Sequence, residues 1–171
     1  MRGQRILVVG SPGTGKSTLA RELGARLDLP VVHLDRLFHD PTAGYVDDRP
    51  GWRRHVVEVQ LPQPRWVMDG HYASTLPERF AAADLVVHLD YPTRTALRGI
   101  FARRLRPAGS RPDVPPSWRE RVTWQLLHSV LTFRSTETTR IARLVAEAPT
   151  PPHVVRLHSR GDARRWLDQV G

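Results

Sequence analysis

Short apolar runs alternate with longer amphipathic stretches along the chain. Five runs have strand length: "RILVVG" (5–10), "LPVVHLD" (29–35), "RWVMDG" (65–70), "ADLVVHLDYP" (83–92, stopped by Pro92) and "HVVRLHS" (153–159). Between them the apolar spacing is helical. In "KSTLARELGARL" (16–27), Leu19, Leu23 and Leu27 share one face. Further helices are predicted over 52–61, 93–106, 117–133, 137–148 and 162–170. Gly24 inside the first helix carries a propensity cost, which points to a close packing contact or a weak point. Strands apolar on both faces, alternating with helices, predict a parallel sheet covered on both sides, with right-handed crossovers.

At 171 residues the chain suits one domain spanning 1–171. Two segments read as loops: "HDPTAGYVDDRPG" (39–51), inside an acceptor-side segment 36–62, and "RPAGSRPDVPPS" (106–117), inside a lid-like segment 106–118. Both exceed the usual connection of about 2–6 residues, a length typical of functional lids.

No apolar run approaches the roughly 18–20 residues of a membrane span. The apolar part of "MRGQRILVVG" is too short for a signal peptide, so a cytoplasmic location is expected. Cysteine is absent, which excludes disulfides, thiolate metal sites and cysteine nucleophiles. The net charge is +9, and all but one of the 26 Lys+Arg residues are arginine. The charge favours anionic partners without distinguishing nucleic acid from phosphorylated small molecules. The exception, Lys16, changes the picture more.

Lys16 closes Gly10-Ser11-Pro12-Gly13-Thr14-Gly15-Lys16-Ser17, a complete G-x-x-x-x-G-K-[ST], followed by Thr18. A strand precedes it and a helix follows, the context a phosphate-binding loop requires. Its glycines let successive backbone N–H groups curl around an anion, and the helix N-terminus adds partial positive charge. A lysine ammonium is a compact point charge that fits such a cradle, whereas an arginine fork does not. Ser17 offers a hydroxyl to Mg²⁺. The residues 10–18 are therefore assigned to ATP, with Mg²⁺ as the accompanying ion.

Three aspartates end predicted strands: Asp35, Asp69 and Asp90. Carboxylates gathered at one sheet edge need a cation or a hydroxyl to face. Asp69 is assigned to Mg²⁺ with Ser17, and Asp35 to orienting or deprotonating an acceptor hydroxyl. Asp90, before Tyr-Pro-Thr, is read as a turn or capping residue. Arg103, Arg104 and Arg106, at the entrance to the lid-like loop, are assigned to the transferring phosphoryl group; Arg111, Arg119 and Arg121 belong to the same cluster. His33 and His88 read as satisfied near-core residues, and His71 as a residue of the acceptor pocket. Trp52, Trp118, Trp124 and Phe133 are expected to pack helices.

With these residues placed, the chain resembles the adenylate-kinase-like P-loop kinases, and within them the bacterial DNA topology modulation (FlaR-type) family. The resemblance rests on "GSPGTGKSTLA", "LPVVHLDRLFH", "WVMDGHYAST", "ADLVVHLDYP" and "RRLR", across residues 5–134. It implies a three-layer α/β/α P-loop NTPase sandwich with a five-stranded parallel sheet and a small arginine-bearing lid. It also implies that Ser159 and Arg160 lie near the adenine of ATP. Asp69-Gly70 match the "DG" of the adenylate kinase "DGFPR" stretch, but Ala73 replaces its arginine, which argues against a nucleoside monophosphate acceptor.

Two functional classes remain. One is a kinase moving the γ-phosphoryl of Mg-ATP to a small acceptor (a nucleotide, nucleoside or other hydroxylated metabolite), acting as a monomer or homodimer. The other is a nucleic-acid-associated regulatory protein using ATP as a switch. The +9 charge suits the second, but no helix-turn-helix or RNA-binding signature accompanies it.

Overall fold

The computed structural model describes residues 4–45, 48–105, 113–115 and 122–170. Most of the lid-like loop, with Arg106, Arg111, Trp118, Arg119 and Arg121, lies outside them. The strands are β1 (Arg5–Gly10), β2 (Val31–His33), β3 (Trp66–Asp69), β4 (Leu85–Leu89) and β5 (His153–Leu157). They form one parallel sheet in the order β2-β3-β1-β4-β5. The helices are α1 (Lys16–Leu27), α2 (Leu34–His39), α3 (Arg49–His55), α4 (Leu76–Ala82), α5 (Thr93–Arg104), α6 (Trp124–Glu147) and α7 (Arg160–Leu167). The expected α/β/α sandwich is present, and β1, which delivers the glycine-rich loop, is the central strand.

Strand alternation sorts the side chains into two apolar layers. Ile6, Val8, Val87 and Leu89 pack with Leu19 and Leu23 of α1 and Leu167 of α7. Leu7, Val9, Met68 and Val86 pack with Trp52 of α3, Phe80 of α4 and Ile141 of α6. Each fully buried Leu or Ile contributes about 1.5–3 kcal/mol, so the layers hold the sheet rigid beneath its carboxyl edge. Gly24 proves to be a close contact: a Cβ there would stand 2.3 Å from Val31 Cγ2.

Several boundaries differ from the sequence reading. The second strand stops at His33, and Leu34 turns into the core at the start of α2. The two predicted helices 117–133 and 137–148 are not separate where they are described: one helix, α6, runs unbroken over Trp124–Glu147. Its hydroxyl-rich middle does not break it, because Thr132 and Thr136 donate to the carbonyls of His128 and Thr132 one turn back. α3 begins at Arg49, capped by Asp48, and ends in a π-turn over Val56–Gln60. Trp52 is buried as expected, but Trp124 is 76% exposed.

His88 departs furthest from expectation. It is fully buried on β4, and neither ring nitrogen has a hydrogen-bond partner among the described residues. Burial pushes its pKa down to about 4, with Asp90 opposing and Arg156 reinforcing the shift. The folded state therefore binds fewer protons than the unfolded chain, so His88 costs about 3 kcal/mol of stability as pH falls from 6.5 to 4. At pH 7 the orphaned imidazole still carries a desolvation penalty. His88→Leu is expected to raise unfolding free energy at pH 7 by about 1–3 kcal/mol in urea titration and to flatten the acid limb. A destabilised variant would contradict this.

Candidate active site

The site is built where β1 hands over to α1. Gly10, Gly13 and Gly15 take φ values of +152°, +85° and +95°, which bend the chain into a tight cup. Gly15 caps α1 without a side-chain hydrogen bond, and no acidic residue stands in the first turn. The helix N-terminus therefore keeps its affinity for an external anion. Thr14 Oγ1 donates to the Ser11 carbonyl at 2.8 Å, and Lys16 Nζ donates to the same oxygen at 3.0 Å. Ser11 Oγ is buried and has no hydrogen-bond partner among the described residues. A cup of backbone with an orphaned hydroxyl and an ammonium across its mouth fits a phosphate group.

The charges around Lys16 are mixed. Burial lowers its pKa from the ordinary lysine value; Asp35 and Asp69 oppose that shift, Arg103 reinforces it and Asp113 opposes it. The structure thus gathers the predicted Asp35, Asp69 and Arg103 about the phosphate-binding lysine, together with the buried Asp113, which the sequence did not single out. Arg103 arrives there because α5 lies directly on the loop. A Cβ on Gly99 would stand 1.9 Å from the Gly13 carbonyl oxygen, and one on Gly13 would stand 2.1 Å from that of Ala96. Arg103 is one turn beyond Gly99 and shares its face. Arg104 is exposed beside it.

Asp69 ends β3 as expected and is buried. His33, its register partner on β2, places Nδ1 2.6 Å from Asp69 Oδ1. His33 is therefore a satisfied residue with a definite task, which is to hold this carboxylate. Asp35 reaches the site by a different route from the expected strand end: it sits in the first turn of α2. Tyr72 donates its hydroxyl to Asp35 Oδ1 at 2.9 Å. Burial, seconded by Asp35, raises the Tyr72 pKa, so the phenol stays a donor.

His71 lies in the same turn. Its Nε2 is 2.8 Å from Glu137 Oε2 on α6, and its ring packs edge-on against Phe133 at 4.8 Å. Burial drives its pKa down to about 4 against the pull of Glu137, so it is neutral at pH 7. The buried Arg79 of α4 donates to the carbonyls of Gly70 (2.7 Å), Tyr72 (2.7 Å) and Thr75 (3.3 Å).

Asp90 is not a cap. Pro92 occupies the α5 N-cap position, and Asp90 instead accepts from Arg134 Nε at 3.0 Å. Ser159 caps α7 by accepting from the Asp162 N–H, and Arg160 opens that helix, exposed. Pro12 and Ser17 are half-buried and Thr18 exposed. Among the described residues no group of three or more His, Cys, Asp or Glu is arranged to hold a metal. No described helix is long and apolar enough to cross a membrane.

Sequence reasoning missed Gly99, Tyr72, Arg79 and Glu137 as parts of this site. Gly99 carried a signal, a glycine inside a predicted helix. The others carried none, because tyrosine, arginine and glutamate on amphipathic segments read as ordinary surface residues.

No protein-family model matches the chain. A curated relative, the HTH-type transcriptional repressor LfrR of Mycolicibacterium smegmatis, is 30% identical over 132 residues, covering 71% of this chain. The chain spans 64% of that repressor's length. Among solved structures, shikimate kinase from Acinetobacter baumannii in complex with shikimate aligns with TM-score 0.58 at 18% identity, covering 96% of this chain and 89% of that one. Shikimate kinase from Bacteroides thetaiotaomicron aligns with TM-score 0.59 at 15% identity, covering 98% and 95%. A gluconokinase from Sinorhizobium meliloti aligns with TM-score 0.54 at 16% identity, covering 96% and 91%. The fold is that of the P-loop α/β kinases.

The Gly13–Gly99 contact leaves no room for a methyl group between two backbones. Gly99→Ala is expected to push α5 off the loop, weaken ATP binding at least roughly tenfold, as when one charge-assisted hydrogen bond is lost, and lower the melting temperature. Calorimetric titration with ATP checks this. Unchanged affinity would show that the contact does not shape the cup.

Proposed function

We propose that this P-loop protein is a kinase that transfers the γ-phosphoryl of Mg-ATP to the hydroxyl of a small acceptor. The observation that carries the reading is the convergence on Lys16 of three carboxylates, Asp35, Asp69 and Asp113, and an arginine, Arg103, at the mouth of an anion-binding cup. Residues 10–18 bind the triphosphate, and Lys16 sits against its β- and γ-oxygens. Mg²⁺, held by Ser17 and by Asp69 through water, supplies charge neutralisation at the phosphates when bound. His33 keeps the Asp69 carboxylate in one orientation. Asp35 takes the acceptor hydroxyl and aligns it for in-line attack; the hydroxyl oxygen bonds to phosphorus, the bond to the ADP oxygen breaks, and the hydroxyl proton leaves toward Asp35.

Arg103 shares the charge of the group in transfer, and Arg104 and Arg106, the latter outside the described residues, are assigned to assist it. Ser159 and Arg160 lie on the adenine side. The acceptor is a hydroxylated metabolite, nucleoside or nucleotide. The neighbours that carry acceptor names, the shikimate kinases and the gluconokinase, favour the first of these. The resemblance of the motifs quoted above supports a reading of the chain as one of the FlaR-type group.

The alternative, a nucleic-acid-associated regulator switched by ATP, draws on the +9 charge and the repressor similarity. ADP release from Mg-ATP across nucleosides, nucleotides and hydroxylated acids decides between the two. The kinase reading expects one acceptor to raise the rate at least roughly tenfold, a barrier change of about 1.4 kcal/mol, and expects Lys16→Ala to abolish the gain. Tight ATP binding without acceptor-dependent turnover would contradict it.

A further inference from the structure

Arg79 is the most anomalous side chain outside the phosphate cup. It is fully buried, and burial lowers its pKa to about 9. Among the described residues no carboxylate lies within ion-pair distance of it. Burying a guanidinium without a partner carboxylate is costly, and an apolar side chain at that position would stabilise α4 at least as well. What an apolar residue cannot do is fix three carbonyls of one turn, those of Gly70, Tyr72 and Thr75, with one planar fork. Thr75 N–H adds a further bond to the Tyr72 carbonyl at 3.2 Å. Arg140 of α6 donates to the Ala73 carbonyl at 3.2 Å, so the turn is gripped from two helices.

The side chain this turn presents is Tyr72. Its ring is wedged against Trp52 at 4.5 Å and Phe38 at 5.8 Å, which fixes its direction. Its hydroxyl ends on Asp35 Oδ1. Asp35 Oδ2 has no hydrogen bond among the described residues.

We propose that Arg79 and Tyr72 are positioning residues for the acceptor. Arg79 fixes the Gly70–Thr75 turn, the turn aims the Tyr72 hydroxyl, and that hydroxyl pins one oxygen of Asp35 so that the other takes the acceptor hydroxyl. The assignment of Asp35 to the acceptor rests on the kinase reading; the relay itself does not. It also accounts for Tyr72 needing its hydroxyl and not merely its ring: Phe would fill the aromatic cluster equally well, but would leave the carboxylate free to rotate.

Tyr72→Phe is the clean test, since it keeps the packing and removes one donor. Two measurements on the full chain are required. The first is amide hydrogen exchange over α2, residues 34–39, with the loop 10–15 as internal reference. The second is steady-state kinetics with Mg-ATP and shikimate, gluconate or adenosine, using whichever supports the highest turnover. The relay expects faster exchange in α2 at unchanged exchange in the loop. It also expects kcat/KM for the acceptor to fall about tenfold or more, the worth of one hydrogen bond to a charged group, with ATP affinity unchanged and the melting temperature modestly lowered by the carboxylate oxygen left unpaired. Arg79→Lys, which retains the charge but not the fork, is expected to reproduce both effects with some loss of melting temperature.

Unchanged α2 exchange in Tyr72→Phe overturns the relay, whatever the kinetics. Faster exchange with unchanged acceptor kcat/KM overturns the positioning role. A wild-type protein that turns over none of the three acceptors counts against those acceptors in the kinase reading, and the exchange result still decides the relay.

Discussion

An anion-shaped cup closed by an ammonium sets the terms for the rest of this molecule. Lys16 reaches back to the Ser11 carbonyl, and the charge so placed must be tolerated in a partly dehydrated corner. Burial disfavours it, and the carboxylates of Asp35 and Asp69 offset that cost. Each carboxylate in turn needs a holder, because an unpaired carboxylate near the interior is expensive. His33 holds Asp69, and Tyr72 holds Asp35. The parallel sheet serves this arrangement by bringing β1, β3 and the end of β2 to one edge. α5 completes it by resting on the loop through two glycines and bringing Arg103 within electrostatic reach of Lys16. Site and scaffold are continuous, since the contact that orders the loop is also the contact that places the arginine.

Much of this was legible before the coordinates. Strand-length apolar runs separated by helical spacing specify a parallel sheet, because the two periods cannot be confused over segments this regular. The loop at 10–17 was legible for a chemical reason: its only strong alternative, a fortuitous glycine turn, does not account for a single lysine among 25 arginines. Asp69 was legible because a carboxylate followed by glycine at a strand end has few other uses.

What stayed hidden was carried by tertiary contact. Nothing in "YASTLPERF" marks Arg79 as buried, because an arginine on a short amphipathic helix is ordinarily solvated, and its three carbonyl partners are defined only once the turn has folded. His33 showed a strand residue and not its partner, since cross-strand register between β2 and β3 is not written in either strand alone. Asp35 was placed at a strand end because "VVHLD" reads as continuous apolar strand. Leu34 instead turns into the core and starts a helix, and that choice depends on the pocket the other strands provide. The Ser/Thr-rich middle of α6 looked like a break, and hydroxyl-to-carbonyl bonds within the helix removed the reason for one.

The central claim is that position 16 requires a compact ammonium and that the cup around it binds phosphate. Calorimetric titration of Mg-ATP into Lys16→Arg, which preserves the charge and changes only its shape, tests it most directly. The account predicts affinity weakened by about 10- to 100-fold, the loss of a charge-assisted hydrogen bond, with the melting temperature of the wild type. Wild-type affinity in Lys16→Arg would contradict it, because the cup would then be indifferent to the feature that sets this residue apart from every other basic side chain in the protein.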